Sequence, residues 1–301
     1  MSLPPPAVET PSFERIAIIG FGLIGSSLGR AIKQHGLART LVAIDLDPVA
    51  RAEIETLGLA DEITGDLVAG VTDADLVILA TPVSTYAEIG RTIAPALKPG
   101  AIVSDVGSVK QLVLRDLAPV LPAHVHLVPG HPIAGTEKSG PGAGFASLFE
   151  GRWCILTPVA ATDRAAVAAV NALWHAIGSD VVEMDADHHD KVLAITSHLP
   201  HLIAYTIVGT AVDLEEDIQS EVVKFSASGF RDFTRIAASD PTMWRDIFLN
   251  NREAVLEMLQ RLTEDLFALQ RAIRWGEGDF LHERFTRARA IRRSVIEAKQ
   301  A

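Results

Sequence analysis

Residues Gly20-Phe21-Gly22-Leu23-Ile24-Gly25 spell G-x-G-x-x-G between a short apolar run, Arg15–Gly20, and an amphipathic stretch, Leu23–Gln34. In that setting each glycine serves the binding of a pyrophosphate. Gly20 permits a tight turn, Gly22 lets phosphates approach the backbone, and Gly25 allows close helix–strand packing. The helix start, with Leu23 and Ile24, offers free N–H groups and a positive dipole to the anion. Asp45 stands 20 residues after Gly25, at the end of the next apolar run. A carboxylate there accepts hydrogen bonds from an adenosine ribose and repels a 2′-phosphate, which favours NAD over NADP. Topology places Thr81 and Pro82, after a later strand, on the nicotinamide side.

Two further segments leave the carboxyl ends of strands, where open α/β sheets bind ligands. They are Ser104-Asp105-Val106-Gly107-Ser108-Val109-Lys110 and His131-Pro132-Ile133-Ala134-Gly135-Thr136-Glu137-Lys138-Ser139-Gly140. Later, Ser197-His198-Leu199-Pro200-His201 sets two histidines at i, i+3 on one helical face. Gly229-Phe230-Arg231-Asp232-Phe233-Thr234-Arg235 and Asp240-Pro241-Thr242-Met243-Trp244-Arg245-Asp246 follow. Taken alone, each has a plain reading: His131 as a loop residue, His198 and His201 as packed interior histidines, Arg235 as a surface charge, Trp244 as core.

The elements that must position these residues alternate. Strands are expected at Arg15–Gly20, Leu41–Asp45, Leu76–Ala80, Ala101–Asp105, Val125–Val128, Trp153–Leu156 and Val181–Met184. Helices are expected at Leu23–Gln34, Pro48–Leu57 (capped by Asp47), around Thr85–Leu97, and at Ala165–Ile177. Alternation with continuously apolar strands implies a parallel sheet covered on both faces. From Asp187 onward apolar residues recur at helical spacing, as with Leu256, Leu259, Leu262, Leu266 and Leu269 in Ala254–Ile273. The expected fold is therefore α/β: an N-terminal Rossmann-like, doubly wound parallel sheet over 14–186, then an all-helical domain over 187–301 whose long apolar faces suit dimerisation.

Bulk properties bound the function. The chain's 301 residues suit two domains, and 48% hydrophobic with 22% charged residues is a globular balance. A net charge of −11 argues against general nucleic-acid binding and requires any anion site to concentrate positive charge locally. Cys154 is the only cysteine, so no internal disulfide or cysteine metal cluster can form, and no metal is expected. That suits a reducing cytoplasm. Residues 1–13 read as a solvated Pro-rich tail without signal-peptide character. No stretch reaches the roughly 18 apolar residues of a membrane helix, so no membrane partner is expected.

The phrases D-V-G-S-V-K, H-P-I-A-G-T-E-K-S-G, S-H-L-P-H, G-F-R-D-F-T-R-I-A and D-P-T-M-W-R-D-I-F occur in order. Together they resemble the prephenate and arogenate (cyclohexadienyl) dehydrogenase family, from about Arg15 to about Leu281. The resemblance implies NAD-dependent oxidative decarboxylation of prephenate, with arogenate as a second candidate substrate, in tyrosine biosynthesis, by a homodimer. It implies that His131 contacts the ring C4 hydroxyl and that Ser108 orients His131 and the nicotinamide. Arg235 would bind the ring carboxylate. His201, with Ser197 and His198, would help hold the substrate, and Trp244 and Thr136 would line the pocket. Family members often carry a fused chorismate mutase or an ACT domain, and this chain is short for either. Two rivals stand beside this reading. One is a β-hydroxyacid or imine-reducing dehydrogenase, for which Lys191 is the nearest lysine base. The other is a non-catalytic NAD-sensing module.

Overall fold

The computed structural model describes residues 13–213, 221, 224 and 227–297. Of the expected tail, residues 1–12 lie outside the described residues; Phe13 opens the first strand and is buried. Six parallel strands form the main sheet: β1 (Phe13–Ile19), β2 (Ala38–Ile44), β3 (Glu62–Thr64), β4 (Leu76–Leu79), β5 (Ile102–Asp105) and β6 (His126–Val128), in the order β3-β2-β1-β4-β5-β6. The chain reverses its winding between β1 and β4. The loops leaving these two strands therefore diverge and open a crevice at their carboxyl ends.

Alternating side chains feed both faces of this sheet. Ile16 and Ile18 of β1, with Leu76 and Ile78 of β4, join one core with α1 (Leu23–His35) and α6 (Arg164–Ala176). Ala17 and Ile19, with Val77 and Leu79, join the other. That face is covered by α4 (Tyr86–Ile93) and α5 (Lys110–Leu117), and it also receives Trp244 and Ile247 from α10 (Pro241–Asn250). Helix α2 (Pro48–Thr56) begins as expected, the Asp47 carboxylate accepting the Val49 N–H. Among the short elements that the sequence does not signal are β3 and α3 (Leu67–Val71).

One expectation is corrected. Trp153–Leu156 and the strand near Val181 do not extend the parallel sheet. As β8 (Trp153–Leu156) and β9 (Asp180–Glu183) they form a second, three-stranded sheet with β7 (Gly130–Pro132), in the order β7-β8-β9. β7 runs antiparallel to β8, with His131 opposite Ile155. Pro129 causes the break: it has no N–H for the β6 ladder, and its carbonyl accepts the Thr157 N–H at 2.9 Å. His131 is thus held in a strand and is not on a free loop.

After β9 every described element is helical: α7 (Ala186–Leu193), α8 (Leu199–Val212), α9 (Ser228–Thr234), α10, α11 (Arg252–Trp275) and α12 (Gly278–Glu297). A π turn, Ala194–His198, joins α7 to α8, where Pro200 removes one helix N–H. The chain divides into two compact units, Met1–Arg252 and Glu253–Ala301. The second carries many exposed apolar side chains, among them Leu256, Leu266, Phe267, Ile273 and Trp275.

Ala186–Ala211 is one continuous helical run, long and apolar enough by length and composition to cross a bilayer, and 28% of its apolar window is buried. It contains no long run of consecutive apolar residues, because Thr196, Ser197, His198 and His201 interrupt it.

Candidate functional site

The three glycines behave as their spacing requires. Gly20 has φ +89°, and a Cβ there would lie 2.7 Å from Thr81 Cγ2 and 2.8 Å from the Ala80 carbonyl oxygen. β1 and β4 thus meet too closely for a side chain. A Cβ on Gly22 would meet nothing within 4 Å, so the backbone faces open space there. A Cβ on Gly25 would collide with the Gly20 carbonyl oxygen. Gly22 caps α1, no side chain supplies a cap hydrogen bond, and the first turn holds no acid. The N–H groups of the first turn, Leu23 and Ile24 included, have no intrahelical partners. Gly25→Ala should therefore lower stability by about 3 kcal/mol, the upper range for overpacking, and weaken dinucleotide binding with it; thermal denaturation with and without cofactor checks both.

Asp45 closes this turn. Its Oδ2 accepts the Phe21 N–H at 3.0 Å and its Oδ1 accepts the Asp47 N–H at 3.0 Å. The Arg51 guanidinium donates to the Asp45 carbonyl at 2.7 Å. Across the crevice, the Thr81 and Thr85 hydroxyls bond at 2.8 Å, and Thr85 Oγ1 donates to the Pro82 carbonyl at 2.7 Å, fixing the turn after β4. Ser84 in that turn donates to Asp246 of α10 at 2.6 Å.

Beyond β5 lies a buried polar cluster formed by the first and last residues of the D-V-G-S-V-K phrase. Asp105 and Lys110 are fully buried. Lys110 Nζ reaches Asp105 Oδ2 and the Gly130 carbonyl, both at 2.5 Å. Asp105 also accepts the N–H groups of Gly107 (2.8 Å) and Gly130 (3.2 Å). This ion pair ties β5 to β7 immediately before His131. Burial pulls the Lys110 ammonium below its usual range, opposed by Asp105.

His131 is 8% exposed. Its Nδ1 lies 2.9 Å from His189 Nε2 of α7, and His189 Nδ1 lies 2.8 Å from Asp190 Oδ1. Among the described residues His131 Nε2 has no hydrogen-bond partner, and it is not fully buried. Burial, then the positive charge that His189, Lys110 and His198 can carry, holds His131 well below the ordinary histidine pKa, so it is neutral near pH 7. Burial lowers His189 as well, opposed by its Asp190 bond. Ser108 does not bond to His131: among the described residues its hydroxyl has no hydrogen-bond partner, and the orienting contact belongs to His189. The simple i, i+1 pair His189-Asp190 gave no sign of this in sequence, because its partner is 58 residues away.

The helical side supplies the rest. His201 stacks on Trp244, with ring centroids 3.6 Å apart, and its Nδ1 donates to the Ser197 carbonyl at 2.9 Å. His198 meets the same indole edge-on at 6.0 Å. The Asn251 amide donates to the Asp190 carbonyl (2.8 Å) and to His198 Nδ1 (3.0 Å), which leaves the His198 proton on Nε2. Among the described residues, that Nε2–H and the Trp244 Nε1–H are buried without hydrogen-bond partners. Burial pushes His198 down to about 4. Arg235, exposed, pairs with Glu137 at 3.1 Å, and the neighbouring Thr136 hydroxyl accepts the Lys138 N–H at 3.2 Å. Lys191 is exposed and pairs with Asp187 at 2.6 Å. Cys154 is buried, and burial pushes its thiol up. Among the described residues no group of three potential ligands could hold a metal.

Residues 28–183 match the family described as prephenate dehydrogenase, nucleotide-binding domain, and residues 185–287 that described as prephenate dehydrogenase, dimerization domain. The chain is 44% identical over 280 residues to a cyclohexadienyl dehydrogenase of Zymomonas mobilis, covering 93% of this chain and 95% of that protein. It is 34% identical to a prephenate dehydrogenase of Bacillus subtilis, covering 93% of this chain and 75% of that one. Among solved structures it resembles prephenate dehydrogenase from A. aeolicus in complex with hydroxyphenyl propionate and NAD+. There the TM-score is 0.85 at 34% identity, with 94% of this chain and 98% of that chain covered.

Proposed function

Because the chain belongs to the prephenate dehydrogenase family, we propose that it oxidises and decarboxylates prephenate with NAD, giving 4-hydroxyphenylpyruvate for tyrosine synthesis. One observation carries the chemistry: a buried histidine, His131, held neutral with a free Nε2, in the same compact unit as the glycine turn. Hydride leaves ring C4 for the nicotinamide as the C4 hydroxyl becomes a carbonyl, and His131 Nε2 takes the hydroxyl proton. Loss of CO2 from C1 then yields an aromatic ring, which drives the reaction forward.

The residues of the crevice suit NAD. Gly20, Gly22, Leu23, Ile24 and Gly25 would hold its pyrophosphate, Asp45 its ribose, and Thr81 and Pro82 its nicotinamide side. When bound, it supplies the hydride acceptor. Ser108, with its unpaired hydroxyl, would face nicotinamide and substrate. Arg235 would fork onto the ring carboxylate. His201, Ser197 and Thr136 would bound the substrate, and the two unpaired N–H groups of His198 and Trp244 suit a carboxylate oxygen. The rival lysine-base mechanism has no support at Lys191, which lies on the surface beside Asp187. The division at about residue 186 would separate cofactor from substrate and dimer functions. The exposed apolar residues of the second unit suit a homodimer interface, and the lone, buried cysteine suits the cytoplasm.

Asp45→Ser should shift the NAD/NADP discrimination by about 1–3 kcal/mol, the worth of a charged hydrogen bond lost. Steady-state kinetics with each cofactor measures it, and an unchanged ratio removes Asp45 from cofactor choice. The substrate is tested by kcat/KM for prephenate and arogenate under one set of conditions; prephenate should be the better.

A further inference from the structure

We propose that Asp190 and His189 are positioning residues that fix the tautomer of His131 and so create its catalytic lone pair. The argument starts from protons whose places are certain. Backbone N–H groups can only donate. Asp190 Oδ1 accepts the Lys110 N–H at 2.8 Å and Oδ2 accepts the Gln111 N–H at 2.9 Å, at the start of α5. Both carboxylate oxygens are therefore acceptors, and the positive end of the α5 dipole favours their charge.

The third contact, His189 Nδ1 to Asp190 Oδ1, must then be an N–H donation from the ring. The reverse tautomer would set a nitrogen lone pair against a carboxylate oxygen. A neutral imidazole carries one N–H. With that proton on Nδ1, His189 Nε2 is an acceptor, and it faces His131 Nδ1 at 2.9 Å. His131 must donate there, so its own proton sits on Nδ1 and its lone pair on Nε2. The two rings meet edge-on, with centroids 5.1 Å apart, as such a bond requires.

The other charged and titratable groups around His131 agree with this. Lys110, on the α5 side, is occupied by Asp105 and the Gly130 carbonyl. His198, from α8, turns its Nδ1 to Asn251. Cys154, across β8, is kept a thiol by burial. None of them offers His131 Nδ1 a competing partner. The relay moves no proton along its length. The substrate hydroxyl proton goes to His131 Nε2, the hydride to the nicotinamide, and Asp190 stays a carboxylate throughout.

The inference rests on the proposed role of His131, and its test separates the two. Nitrogen-15 spectroscopy of ring-labelled protein near pH 7 reads the tautomer without any substrate. His131 should show a protonated Nδ1 and a bare Nε2. In Asp190→Asn a neutral amide oxygen is left to accept both the Lys110 N–H and the His189 Nδ1–H, so it should hold the His189 proton more weakly and the Nδ1-protonated tautomer of His131 should lose population. The variant should then lose kcat about 10²- to 10⁴-fold, with KM for both substrates within about 3-fold. Asn caps helices as well as Asp does, so α5 should stay folded. A second pair of variants covers the case where Asp190→Asn does not fold. His189→Gln places an acceptor near the old Nε2 and should retain much of the rate, whereas His189→Leu packs but cannot accept and should lose kcat. A purely structural role predicts the opposite order. A bare Nδ1 on His131 in the native protein, or Leu equal to Gln at position 189, overturns the relay even if prephenate is turned over. If prephenate is not turned over but the tautomer is as stated, the substrate assignment fails and the relay stands.

Discussion

His131→Asn should lower kcat by about 10²- to 10⁴-fold, the usual worth of a positioned general base. KM for NAD should change little, because the glycine turn and Asp45 are untouched. The pH dependence carries the finer test. His131 acts as a base only when neutral, so activity is present above its folded pKa and lost as pH falls through it. Burial first, and then the neighbouring His189, Lys110 and His198, depress that pKa well below 6.5. The acid limb should accordingly lie on the acid side of the ordinary histidine range, with kcat flat through neutral pH. In the Asn variant the residual rate should show no such limb. A variant that keeps both its rate and its limb removes His131 from the chemistry.

Arg235→Gln should raise KM for prephenate roughly 30-fold or more while leaving kcat nearly unchanged, the cost of truncating one partner of a hydrogen-bonded ion pair being about 2–5 kcal/mol. The reason lies in when the charge is present. The ring carboxylate is fully charged in the bound substrate and loses charge as CO2 departs. An arginine bound to it stabilises the ground state at least as well as the later transition state, which is uniform binding. In the free chain Arg235 pairs with Glu137 at 3.1 Å, so substrate must compete with that carboxylate. The pair is largely exposed, 60% at Arg235, so the competition costs little. Arg235→Lys should rescue only in part, since a point charge cannot form the planar fork. A collapse of kcat at constant KM contradicts this role.

Much of the fold was legible because the governing contacts are local. Gly20, Gly22 and Gly25 could be assigned because their spacing within six residues marks a strand–turn–helix junction, although Gly20 also packs against Ala80 and Thr81. Asp47 before Pro48 reads as a cap for the same reason. Trp153–Leu156 has the expected boundaries, yet its sheet was misjudged: periodicity marks a strand but not its neighbour. β7 was hidden because it is three residues long and ends in proline. The catalytic neighbourhood was the least legible. His189 bonds to His131 across 58 residues and Asp190 to Lys110 across 80, distances over which sequence carries no sign of contact. The D-V-G-S-V-K phrase pointed to Ser108, while the structure gives the buried contacts to Asp105 and Lys110. The apolar spacing of α11 marked a helix with a long apolar face, and Leu256 and Leu266 on it are about half exposed in the chain itself, at 52% and 53%.

The most direct test follows one atom. Prephenate carrying deuterium at ring C4 should be turned over with NAD to give deuterated reduced cofactor, with one CO2 and one 4-hydroxyphenylpyruvate for each hydride transferred. Reduced cofactor without deuterium, or no reduction with either prephenate or arogenate, would contradict the account.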